Sequence, residues 1–382
     1  MRLRQAMKAP PARGSWALLA SLLLASCASE APAAAPGGSA TASSPQQASS
    51  EVQRLLAAAT AAHETELDVS WGATFGAAAG IKQFEELFNR MYGLSVKINY
   101  TPGPSMTDMA GKVTQEVNAG QHSSTDVLLG TESHYAALVD RNVMEEYDYT
   151  KLSSRITPEI VAPRNIGVEV GGIVGGIAYN TSLVKAADVP RKLEDVLEPK
   201  WKGKIASNPD AALFDRVSAR SEWGTDKMMD FVTKLSANVG GLVRCDDNQS
   251  VFSGQYLMTV LNCGSYQVRR DQAKGAPIAH TIPPDTATVG FFHLGVPRTA
   301  SHPNLAKLFI NMMLSESGQH QMYALEYTDH YALPGSQSVK EIDELRAKGG
   351  EPLQVNAAFI LAHPALKDVG RQFAEVLRKG RT

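Results

Sequence analysis

The chain has 382 residues, which is room for two globular units of ordinary size. Its 43% apolar and 20% charged composition is that of a globular protein, and 37 basic against 39 acidic residues exclude a strongly basic nucleic-acid surface. Three cysteines are too few for a disulfide framework or a four-cysteine zinc centre.

Residues 1–26 carry Arg2, Arg4, Lys8 and Arg13 and no acid. The apolar run from Trp16 to Ala25 is half the ~20 residues a membrane-spanning helix needs. A basic start followed by a short apolar run reads as an export signal. It ends Leu24-Ala25-Ser26-Cys27, which resembles the lipobox of bacterial lipoproteins, where the cysteine is lipidated and becomes the first residue. After Cys27, residues up to 50 are Ala, Ser, Pro, Gly and Gln with one Thr and one charge, Glu30, and residues 27–50 are expected to be a flexible tether. Residue 28 is Ala, which in that resemblance gives no inner-membrane retention signal. Without residues 1–26 the balance is 33 basic to 39 acidic residues, so the mature chain is expected to be acidic, extracytoplasmic and lipid-anchored.

Beyond the tether, strand and helix alternate. Glu51 to Glu66 reads as a helix and Leu67 to Trp71 as a strand. Apolar residues at 81, 84, 87, 88 and 91 make a helical stripe, and Leu94 to Tyr100 alternates as a strand. Thr101-Pro102-Gly103-Pro104 should break the chain. Ser105 then opens a helix to about Val117. Asp126 to Leu129 is a buried strand, and His134 to Val139 a helix. This rhythm predicts an α/β fold with a mainly parallel sheet and a ligand beyond the strand carboxyl ends. The run Gly171 to Asn180 is Gly-rich but lacks the Gly-Lys-Ser/Thr of a phosphate loop, so it reads as a strand crossing between lobes.

Leu193-Glu194-Asp195-Val196-Leu197-Glu198-Pro199-Lys200-Trp201-Lys202-Gly203-Lys204-Ile205 resembles a signature of bacterial extracellular solute-binding proteins. The branch holds binders of ferric iron, thiamine, polyamines and 2-aminoethylphosphonate. Tyr179-Asn180-Thr181, Gly275-Ala276-Pro277-Ile278 and the stretch from His302-Pro303-Asn304 to Gln319 agree in order and spacing. The resemblance runs from about Leu67 to the C-terminus. It implies a two-lobed type II periplasmic-binding-protein fold with the ligand cleft between the lobes. Lobe 1 would hold residues 67–173 plus 290–335 and lobe 2 residues 177–287. Residues 336–382 would be a C-terminal helical segment packing across the lobes.

No nucleophile elbow, zinc-protease motif or metal-ligand spacing is present in the sequence, so neither catalysis nor a cofactor or bound metal is expected. Candidate ligand contacts are Trp71 after the first strand and Ser105 and Met106 at a helix start that would favour an anion. Thr131 follows a strand end, Asn208 and Asp210 follow the strand Lys204 to Ala206, and Tyr179 belongs to the quoted motif. Arg244, beside Cys245, is a candidate cation for an anionic ligand. Cys245 and Cys263 could form a disulfide or two buried small side chains. The resemblance puts Cys263 near the cleft, where ferric binders carry two adjacent tyrosines. Here only Tyr266 is nearby, too few phenolates for a hard Fe(III) site.

The implied function is a lipid-anchored receptor of an ABC importer. It would be a monomer that hands a small solute to an inner-membrane permease, with an organic or phosphorus-containing anion favoured. A ligand sensor of the same fold, or a ferric iron or polyamine binder, is the alternative. Nucleic acid is not an expected partner.

Overall fold

The computed structural model describes residues 49–72, 78–103 and 105–380. The export signal, Cys27 and the tether up to residue 48 lie outside them. The tether was expected to reach Ser50, but Ser50 already begins helix α1 (Ser50–Ala61). Ser49 caps it, accepting the Val52 N–H at 3.2 Å and donating to the Leu152 carbonyl at 3.0 Å.

The first lobe continues with β1 (Glu66–Gly72), α2 (Ala78–Tyr92), β2 (Lys97–Gly103), α3 (Met106–Asn118), β3 (Val127–Thr131) and α4 (Glu132–Leu138). β1 lies parallel to both β2 and β3. The expected break at Thr101 does not occur, because β2 runs on through Pro102 and Gly103, paired with Trp71 and Gly72. Pro102 is tolerated there because β2 is the edge strand of its sheet.

The chain then leaves the first lobe along β4 (Val168–Val174) and enters the second along β5 (Gly176–Asn180), with Gly175 between them. A Cβ on Gly175 would lie 2.2 Å from Leu213 Cδ1, so a side chain there would force Leu213 to another rotamer. The second lobe holds β6 (Ile205–Ser207), α5 (Phe214–Ser218), α6 (Gly224–Asn238), β7 (Gly241–Leu242), α7 (Gln249–Phe252), β8 (Met258–Asn262), α8 (Ser265–Ala273) and β9 (Ile278–Thr281). Its strand order is β7-β6-β8-β5-β9.

β10 (Thr288–Gly295) returns to the first sheet, antiparallel to β3 and β4. It is followed by α9 (Pro303–Leu314), α10 (Glu316–Glu326), α11 (Val339–Ala347), β11 (Leu353–Val355), α12 (Ala357–Ala362) and α13 (Leu366–Lys379). β11 pairs with β10, so the first sheet takes in residues past the expected limit of 335. That sheet reads β11-β10-β3-β1-β2, with β4 also on β10.

Each lobe has its own core. Trp71, Phe84, Phe88 and Phe309 centre the first. Phe214, Trp223 and Phe231 centre the second, which Phe373 and Leu377 of α13 join with no exposed surface. Burying each such side chain contributes roughly 1.5–3 kcal/mol, which fixes α13 to the second lobe. α12 packs on α4 of the first lobe, and α13 on α5 and α6 of the second. No helix among the described residues is long and apolar enough to cross a membrane.

Candidate functional site

A cavity of about 770 Å³ lies between the lobes. The first lobe reaches it through Thr131, the last residue of β3 and the cap of α4. The Thr131 N–H donates to His134 Nδ1 at 3.2 Å, which leaves the proton on Nε2, 3.1 Å from Thr107 Oγ1. Burial first, and the nearby Arg216 guanidinium second, hold His134 below the ordinary histidine range. One histidine therefore ties the starts of α3 and α4 together at the cavity edge.

Glu132 follows and is fully buried. Its Oε2 accepts the Phe291 N–H of β10 at 2.9 Å, and Oε1 pairs with Arg216 Nη2 of α5 in the second lobe. Burial pushes the Glu132 carboxyl up, opposed by Arg216 and the Phe291 N–H. Gly290 makes room for the pair, since a Cβ there would lie 2.9 Å from Arg216 Nη1 and 3.0 Å from Glu132 Oε2.

The second lobe's wall is the turn between β6 and α5. Asn208 organises it, with Nδ2 donating to the Leu261 carbonyl at 3.2 Å and Oδ1 accepting the Ala212 N–H at 2.6 Å. Ala211 and Leu213 take left-handed backbone at φ 47° and 74°. Such strain persists only where surrounding contacts over-determine it. It aims Asp210, Asp215 and Arg216 at the cavity. Burial pushes the Asp215 carboxyl up, with Arg216 opposing. Cys263 lines the same space and is disulfide-bonded to Cys245, with a Cα–Cα distance of 5.0 Å. The Cys263 N–H also donates to the Cys245 carbonyl at 2.9 Å.

Of the residues singled out from the sequence, Thr131, Asp210 and Cys263 meet at this cavity. The others are placed elsewhere. Trp71 is core: its indole is fully buried, donates to the Val127 carbonyl at 3.2 Å and packs 5.7 Å from Phe309. Ser105 is an N-cap whose hydroxyl accepts the Asp108 N–H and donates to Asp108 Oδ2, and Met106 packs half-buried at the edge of the first core. Tyr179 lies toward the end of β5 remote from the crossing, paired with Met258 and Ala279. Asn208 is 1% exposed and shapes the turn from beneath. Arg244 is 82% exposed and held by both oxygens of Asp246 at 2.9 and 3.0 Å. Tyr266 is buried, its oxygen accepts from Gln267 at 2.9 Å, and burial pushes its phenol up to about 12.

The sequence reading missed Glu132, Arg216 and the cavity-lining residues of α12 and α13. Glu132 had a local signal, being next to Thr131 at a strand end. Arg216 had none, because its partner is in the other lobe. Asp68, Asp126 and His302 also converge, but at the opposite end of β3. There Asp126 accepts from the Asp68 N–H, the His302 N–H and His302 Nδ1, which makes it a structural clasp.

With two sheets, a glycine crossing and an inter-lobe cavity in place, family comparison is decisive. Residues 79–350 match the family described as bacterial extracellular solute-binding protein. The chain belongs to that family. No curated protein sequence matches it. Solved binding proteins share its two-lobed fold. Iron-bound HitA from Pseudomonas aeruginosa is 21% identical with a TM-score of 0.63, covering 81% of this chain and 99% of its own. The spermidine/putrescine ABC transporter substrate-binding protein PotD from Streptococcus pneumoniae is 17% identical, with a TM-score of 0.61 and coverage of 82% and 99%. AgtB from A. tumefaciens R10, in complex with agropinic acid, is 14% identical, with a TM-score of 0.61 and coverage of 82% and 99%. This binding protein thus shares its frame with proteins solved with a metal ion and with an organic acid.

Proposed function

We propose that this solute-binding protein is the substrate receptor of an ABC importer. In this reading it is tethered outside the cytoplasm by lipid on Cys27, and its lobes close over a small organic or phosphorus-containing anion before delivery to a permease. The observation that carries the reading is the cavity of about 770 Å³ between lobes that Glu132 and Arg216 link. That size suits an organic solute, with a mostly apolar lining and a few placed polar groups. With Arg216 taken by Glu132, Lys367, Arg371 and Arg378 still outnumber Asp210 and Asp215 around it, which favours an anion over a polyamine. Ferric iron is disfavoured because the Tyr266 phenol is buried and hydrogen-bonded, and Glu132 is engaged by a guanidinium.

The test is thermal unfolding of the mature, non-lipidated chain (Cys27→Ser) against phosphonates, phosphate esters, carboxylates, polyamines, thiamine and ferric citrate. A ligand at 100 times its Kd adds ~2.7 kcal/mol, a shift of a few degrees. Stabilisation by an anion supports the reading. Stabilisation by a polyamine or iron alone removes the anion and keeps the receptor.

A further inference from the structure

The cavity has a third wall that belongs to neither lobe's crossing strands. α12 sits on α4 of the first lobe and α13 on α5 and α6 of the second. The chain between and along them lines the cavity from Ile360 to Arg378. This segment lies beyond residue 350, where the family match stops.

α13 has two faces. Leu366, Phe373 and Leu377 are buried in the second lobe. Lys367, Arg371, Ala374 and Arg378 recur every three or four residues and, with Gly370, line the cavity, Ala374 at the border with the core. The small residues keep the floor low, since a Cβ on Gly370 would already touch Asp215 Cβ at 3.4 Å. Lys367 and Arg371, one turn apart, are exposed on this face. Lys367 has no ion pair among the described residues, and Arg371 commits one nitrogen, Nη2, to Asp368. Arg216, by contrast, is already taken by Glu132.

Apart from Thr131, Ser133, Asp210, Asp215 and His363, the remaining lining is mainly apolar. Ala136, Ile173, Leu213 and Pro364 contribute, and so does Leu361. Leu361 is 39% exposed, one of three large apolar side chains so exposed among the described residues. An unpaired lysine beside a partly open leucine on one cavity wall suits a ligand with both an acid and an apolar part.

We propose that the C-terminal segment completes the solute site, with Lys367 and Arg371 receiving the acid group of an organic anion whose apolar body lies against Leu361, Ile173 and Leu213. This deepens the receptor reading above and rests on it. The cavity is far larger than an inorganic oxyanion requires, so the apolar body contributes to affinity and selectivity.

The experiment titrates the mature, non-lipidated chain by calorimetry with short- and medium-chain carboxylates, aryl carboxylates and alkyl phosphonates. Inorganic phosphate, spermidine and ferric citrate are the counter-probes. The expected result is that an organic acid binds, and binds more tightly as its apolar body grows. Lys367→Gln with Arg371→Gln should raise its Kd about tenfold or more. Leu361→Asp should weaken binding of the longer acids most. All these side chains are exposed, so the ligand-free unfolding midpoint should stay within about 2 °C. Lys379→Gln, outside the cavity on the same helix, should leave Kd unchanged. Unchanged affinity in the double variant overturns the proposal. So does binding of phosphate, spermidine or ferric citrate without the organic acids, which leaves the receptor reading standing. No binding by any probe overturns the proposal and counts against the anion receptor as well.

Discussion

Glu132 of the first lobe and Arg216 of the second form a buried ion pair across the lobes, and a β10 amide, the Phe291 N–H, holds the other carboxylate oxygen at 2.9 Å. Glu132 has no exposed surface and the Arg216 side chain only 13%. Removing one partner from such a pair leaves an uncompensated buried charge and costs roughly 3–5 kcal/mol. Arg216→Ala should therefore lower unfolding free energy by about 3 kcal/mol and, because the link spans two lobes, enlarge the radius of gyration without ligand. Denaturant unfolding and small-angle scattering check both. A cost below about 1 kcal/mol with unchanged dimensions would show that the pair does not join the lobes in solution.

The Cys245–Cys263 bond encloses a loop with a sequence separation of 18, and Cys263 lines the cavity. Chain entropy assigns a loop of that length ~3 kcal/mol. Cys245→Ser, or reduction of the intact chain, should lower the unfolding midpoint by several degrees and weaken solute binding. Unchanged stability and affinity would remove any role for the bond in stiffening the wall.

His293 titrates against the fold. It is fully buried, stacks 5.0 Å from Tyr135, and has Nδ1 3.2 Å from the Phe291 carbonyl. Burial lowers it from 6.5 to about 3. The unfolded chain thus binds a proton more readily than the native one. Stability is full above pH 6.5 and falls as pH drops toward 3, by up to about 1.4 kcal/mol per pH unit from this group. Unfolding free energy measured across that window should slope less steeply in His293→Asn. An equal slope in the variant would assign the loss to other groups.

Glycines at the crossing are needed for space. A Cβ on Gly176 would lie 2.5 Å from the Thr281 carbonyl, a backbone atom of the paired strand that cannot rotate away. Gly176→Ala should cost about 1–3 kcal/mol. Gly111 is the contrast: it lies inside α3 with nothing within 4 Å of its missing Cβ, so Gly111→Ala should stabilise by up to about 1 kcal/mol. Chemical denaturation of the two variants should give opposite signs.

Much of this architecture was legible because it is written in local periodicity. Of the stripe at 81, 84, 87, 88 and 91, the first four are the buried face of α2 while Met91 is exposed, and the glycine run from 171 is the crossing from β4 to β5. The site was less legible because cavity walls are made by partners far apart in sequence. Trp71 lies near the carboxyl end of β1, where a cleft aromatic could sit, but its place beside Phe309 of α9 is decided by packing. Arg244 looked like a ligand cation, yet Asp246 two residues on holds it at the surface. Arg216 could not be paired with Glu132 without knowing how the lobes meet. The face of α13 was readable in principle, since Lys367, Arg371 and Arg378 alternate with Phe373 and Leu377 at helical spacing. What they face was not.

The most direct test of the account is native mass spectrometry of the mature chain purified gently from its own cells. The account expects one small organic anion bound per chain, released on denaturation and lost when Lys367 and Arg371 are both replaced by Gln. A ferric ion or a polyamine in its place, or an organic anion retained undiminished by that variant, would contradict it.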